Sequence, residues 1–104
     1  MINLNDIEMS KLIRIFGNSA QTIVLENLLR NRGEFTYLSG IAEETGLSHS
    51  SVARVMEPLV ENNIIIEKKL GKQIRTFSMN EENPVAKLII KFYDELMALP
   101  KEKI

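Results

Sequence analysis

The sequence predicts a mainly α-helical single domain carrying one small β-hairpin. Apolar residues recur at helical spacing in separate runs, as in Val52, Val55, Met56, Leu59 and Val60. Two β-rich runs, 64–69 and 73–79, flank a short turn that contains Gly71. No internal repeat and no linker rich in Pro, Gly or Ser divides the 104 residues, a length suited to one compact unit.

The elements follow in order. A first helix is expected from about Asn5 to Gly17, with Asn5 and Glu8 at capping-box spacing and Leu12, Ile13, Ile15 and Phe16 on its apolar side. Asn18 is expected to cap a second helix, whose stripe is Val24, Leu25, Leu28 and Leu29 and whose stop is Gly33. Phe35 and Thr36 suit a short extended piece. A third helix over 37–45 turns Leu38, Ile41 and Ala42 inward, and Gly46 breaks it. Ser48 caps a fourth helix that reaches about Asn62. Pro58 removes one of its backbone hydrogen bonds, so a kink or early end is expected there. In the hairpin, Ile74, Phe77 and Met79 are expected to face inward against Gln73, Arg75 and Ser78. Asn83 and Pro84 suit the cap and first position of a last helix, with Val85, Leu88, Ile89, Phe92, Leu96 and Leu99 at three-four spacing and Pro100 as its stop. Tyr37 and Tyr93 read as boundary residues.

Composition removes several function classes. There is no cysteine, so disulfides, iron–sulfur clusters and thiolate metal sites are excluded. His49 is the one histidine and has no second imidazole to share a metal, so no metal site is expected. No Gly-rich phosphate loop, nucleophile–base pair or paired carboxylates appear, so neither catalysis nor a cofactor is expected. No apolar run approaches the ~18 residues of a membrane span, and the N-terminal residues lack the pattern of a secretory signal, so a cytoplasmic protein is expected. Net charge is −1. Its distribution is uneven: from Gly46 to Asn80 five basic residues stand against three acidic ones, a net of +2.

Residues 38–57 carry the strongest functional signal. Ala42 is small where two helices must cross, Gly46 suits the left-handed turn between them, and Ile41, Leu47, Val52 and Val55 fill the gap. This is a helix-turn-helix pattern. The outward face of the fourth helix then offers Ser48, His49, Ser50, Ser51 and Arg54. Small residues allow close approach to a duplex, and Arg54 suits a bidentate contact with guanine. The alternative for Arg54 is a surface pair with Glu57 or Glu61. The hairpin offers Lys68, Lys69, Lys72, Gln73 and Arg75 to phosphates, as a wing would, unless it is simply a solvated turn. The apolar stripe of the last helix needs cover, either from the first helix of the same chain or across a two-fold dimer. The expected dimer residues are Leu12, Phe16, Leu88, Phe92, Leu96 and Leu99. The expected organisation is thus a winged helix-turn-helix core over 18–80, flanked by dimerisation helices at 5–17 and 83–99.

The run IFGNSAQTIVLENLL resembles the opening helix of small winged-helix repressors of the arsenical-resistance-repressor type, and LSGIAEETGLSHSSVARVMEPLVENNII resembles their helix-turn-helix and the start of their wing. The run FSMNEENPVAKLIIKFYDEL is similar to the ending of archaeal winged-helix regulators, where Asn-Pro opens a dimerising helix. The resemblance implies a homodimeric transcription regulator on a two-fold symmetric operator, with base reading at residues 48–51 and 54 and phosphate contact at Lys68, Lys69, Lys72 and Arg75. The Cys and His ligands of metal-sensing members are absent, so metal-induced release is not expected. Any small-molecule effector site would lie at a dimer interface. A competing class is a winged-helix protein-interaction module of a transcription or partition complex, which the near-neutral total charge keeps open.

Overall fold

Short side chains fix where most of the helices begin. A computed structural model describes residues 10–100. Ser10 caps α1 (Lys11–Phe16), accepting from the Ile13 amide. The capping pair expected at Asn5 and Glu8 lies outside the described residues. Ser19, not Asn18, caps α2 (Ala20–Arg30), accepting from the Thr22 amide at 3.2 Å. The helix ends before Gly33, because the Asn31 side chain donates back to the Asn27 carbonyl (2.9 Å). Gly33 instead supplies a positive φ in the following turn. Strand β1 (Thr36–Tyr37) leads directly into α3 (Leu38–Thr45), one residue later than the sequence suggested in each case.

Gly46 takes φ +77 and its amide donates to Ala42 O at 2.9 Å, closing α3 and turning the chain toward the next helix. Ser48 caps α4 (His49–Glu61), as expected. The helix continues through Pro58 to Glu61 rather than ending there. Proline deprives only the Arg54 carbonyl of its partner. Arg54 and Pro58 are both on the solvent-exposed side of the helix, where a missing intrahelical partner costs least, while Met56 anchors the opposite side in the core.

Strands β2 (Ile65–Leu70) and β3 (Ile74–Met79) pair antiparallel across the turn 71–73, with Leu70 opposite Ile74 and Ile65 opposite Met79. Strand β1 pairs with the other edge of β3, Thr36 opposite Phe77, so the sheet has three strands in the order β1-β3-β2 rather than two. Side chains alternate along β3. Phe77 and Met79 enter the core with Ile65. Ile74, expected beside them, lies on the opposite face and is half exposed. Thr76, also on that face, is buried and donates to the Lys68 carbonyl at 2.6 Å. The result is a mainly helical fold with a small antiparallel sheet, an arrangement compatible with a winged helix.

The core joins α2, α3, α4 and the sheet through Val24, Leu28, Ile41, Val52, Met56 and Phe77. Asn83 opens α5 (Pro84–Ala98) by accepting from the Val85 and Ala86 amides, and Pro84 needs no amide partner at that position. Helices α1 and α5 pack together. Leu12 and Leu96 are buried in that contact within one chain, which removes both from the set expected to face a second copy. The Lys11 ammonium, buried beside them, donates to the Leu96 and Leu99 carbonyls. Tyr93, expected at the boundary, is buried against α2, its hydroxyl 3.5 Å from the Glu26 carboxylate. Burial and that carboxylate push its phenol pKa up. No helix among the described residues is long and apolar enough to cross a membrane.

Candidate nucleic-acid interface

The N-terminal half of α4 is held by its buried side, Val52 and Met56, against α2 and α3. This leaves His49, Ser50 and Arg54 exposed and Ser51 half-buried. Two of the five expected reading residues serve the helix itself. Ser48 Oγ accepts from the Ser51 amide at 3.1 Å and donates to Ser51 Oγ at 2.9 Å. Ser50 Oγ lies 3.2 Å from Ser48 Oγ, so among the outward side chains His49 and Arg54 are the ones without a side-chain hydrogen bond among the described residues. Arg54 has no ion pair among the described residues, so neither Glu57 nor Glu61 holds it.

The hairpin divides its charges. Arg75 is committed to Glu67 through two parallel contacts, Nε to Oε2 at 2.7 Å and NH2 to Oε1 at 3.1 Å, and its guanidinium lies 5.1 Å from the Phe77 ring centre. Lys68 sits 4.9 Å from the Phe35 ring centre. Lys69 and Lys72 are exposed and without ion pairs among the described residues, and Gln73 completes the tip. Sequence reasoning assigned all of these to phosphates. The structure leaves Lys69, Lys72 and Gln73 unengaged, while Arg75 chiefly staples the two strands.

The Arg75 guanidinium holds the Glu67 carboxyl below its ordinary 4.5, by hydrogen bonding first and charge second. The unfolded chain therefore takes up this proton before the folded one as pH falls. The pair's contribution to stability is full above about pH 4.5 and is lost below it as Glu67 protonates. Glu67→Gln is expected to lower the urea midpoint at pH 7 by more than it does at pH 3. Equal losses at both pH values would show that the pair adds no charge-dependent stability.

A cleft of about 250 Å³ separates α4 from the hairpin. It is lined by Tyr37 from β1, Ser39 from the start of α3, His49 from α4, and Gln73 and Arg75 from the hairpin, with Leu38 and Ile74 adding an apolar part to its wall. The pairing of Tyr37 with Thr76 brings these distant segments together, and no local sequence signal marks it. A separate apolar groove of about 530 Å³ runs between α1, α2 and α5. Phe16, Leu88 and Phe92 line it and remain 45–66% exposed. The Phe16 and Phe92 rings meet edge-on with centroids 6.2 Å apart. Leu99, at the end of α5, is also exposed. Among the described residues no cluster of His, Asp or Glu is arranged to hold a metal.

No protein-family model matches the chain, and no curated protein matches it.

Proposed function

We propose that this chain is a winged helix-turn-helix module that binds double-stranded DNA sequence-specifically and acts as a transcription regulator. The observation that carries the reading is the exposed face of α4, small at its start and ending in Arg54, set beside a hairpin whose Lys69 and Lys72, like Arg54, have no ion pair among the described residues. Placed in a major groove, α4 presents His49, Ser50 and Arg54 to base edges. Lys69 and Lys72 then lie toward phosphates and supply the salt-dependent part of affinity.

The reading includes a homodimer. Phe16, Leu88, Phe92 and Leu99 form an apolar surface that one chain leaves open, and a two-fold partner covers it with its own copy. Such a pair would set two α4 helices against successive major grooves, about 34 Å apart. Sedimentation is expected to give twice the 11.9 kDa chain mass, falling to the single-chain value in Phe92→Asp. An unchanged mass in the variant counts against this surface.

Selection of bound duplexes from a random pool, at stated salt, tests the function. An enriched two-fold motif is the expected result. Binding without enrichment, or no binding, favours a protein-interaction module, the reading that the chain's net charge of −1 also fits.

A further inference from the structure

We infer that the cleft between α4 and the hairpin seats one backbone phosphate of the duplex, and that Tyr37 and Ser39 are duplex-contacting residues. This rests on the DNA reading of α4 and adds to it two residues that lie outside both the recognition helix and the wing. Four polar side chains converge on the cleft beside the apolar Leu38 and Ile74: Tyr37 of β1, Ser39 of α3, His49 of α4 and Gln73 of the hairpin turn. All four are exposed. Among the described residues, none of the four side chains makes a hydrogen bond within the chain. Each can donate to an anionic oxygen: a phenol, an aliphatic hydroxyl, an imidazole and a carboxamide.

The charge in the cleft decides the kind of contact. Arg75 forms part of its wall, but its guanidinium is already shared with Glu67. Tyr37, Ser39 and Gln73 remain for a ligand as uncharged donors. A free multivalent anion in water would gain little from neutral donors alone. A phosphate of a duplex already bound through α4, Lys69 and Lys72 loses little further freedom on entering. The cleft therefore suits a phosphodiester fixed within a duplex. Its position also accounts for Tyr37, an aromatic residue half exposed at the cleft, whose hydroxyl makes no hydrogen bond among the described residues. His49 is drawn by the same geometry toward the backbone as well as toward a base edge.

A neutral contact and a cationic one leave different signatures in salt. Removing a lysine–phosphate contact lowers the slope of log K against log salt by about one unit, because one fewer counterion is released. Removing a neutral donor lowers affinity at every salt concentration and leaves that slope alone. The test is fluorescence anisotropy of the full chain on a fixed 30-base-pair duplex across a salt series, with Tyr37→Phe, Ser39→Ala and Lys69→Ala compared. Tyr37→Phe keeps the ring and removes only the hydroxyl, so thermal unfolding checks that the fold is intact. Tyr37→Phe and Ser39→Ala are each expected to weaken binding about three- to ten-fold, on duplexes of any sequence, with the wild-type slope. Lys69→Ala is expected to flatten the slope. Wild-type affinity in both cleft variants, or a changed slope in Tyr37→Phe, overturns the cleft assignment while leaving the α4 reading in place. No binding of duplex by the wild-type chain removes both.

Discussion

Phe77→Ala is expected to destabilise the fold by about 3–5 kcal/mol, the largest effect of any single truncation considered. Phe77 is fully buried on the central strand of the sheet and packs among Val24, Ile41 and Met56. Its backbone lies between Thr36 on one side and Glu67 on the other. Removing the ring leaves a cavity where helices and sheet meet, and takes away the surface beneath the Arg75 guanidinium. For a domain of this size 1 kcal/mol corresponds to roughly 4–8 °C, so the melting temperature should fall by at least about 12 °C. Ile74→Ala is the control. Ile74 is on the same strand but 50% exposed on the opposite face, and its loss should cost well under about 1 kcal/mol. The comparison tests register directly, because a slip of one residue exchanges the two faces of a strand. Similar urea midpoints for the two variants would mean that β3 is paired differently.

The two strands also show what the sequence made legible. The hairpin, its turn and both long strands were placed to within one residue, because β-rich runs on either side of a glycine turn are a local signal. The face of Ile74 departs from the expectation for a local reason too: strand parity puts Ile74 with Thr76 and not with Phe77, whatever its apolar character. The third strand was half seen at Phe35 and Thr36, but its partner could not be read, since β1 and β3 are about 40 residues apart in the chain. The turn between α3 and α4 was legible from Gly46 and Ser48, each needed for a stated backbone reason. At the site, the positions of Ser50 and Arg54 followed from helical period alone. The fates of Arg75, Leu12 and Leu96 did not. Each depends on a side chain met only in three dimensions: Glu67 across the hairpin for the first, and the packing of α1 on α5 for the other two.

Arg54→Ala is expected to weaken binding to a cognate duplex by about 1–3 kcal/mol, close to a factor of five to more than a hundred, and to relax preference at one base pair. The size follows from the geometry of a guanidinium on a guanine edge, where two parallel hydrogen bonds are lost together. Arg54 has no ion pair among the described residues, and α4 is anchored from its other side by Val52 and Met56, so the variant should fold normally. A loss of affinity would then be a loss of contact. Arg54→Lys separates a reading contact from a purely electrostatic one. Lysine keeps the charge and cannot form the planar fork, so a base contact should stay impaired in Arg54→Lys, whereas a phosphate contact should be largely restored. The measurement is competition by duplexes substituted at single positions of a selected site. If Arg54→Ala keeps wild-type affinity and discriminates the substituted duplexes as the wild type does, α4 is not the reading helix. If Arg54→Lys recovers fully, Arg54 holds the backbone, and sequence must be read by His49 and Ser50 at the start of the helix.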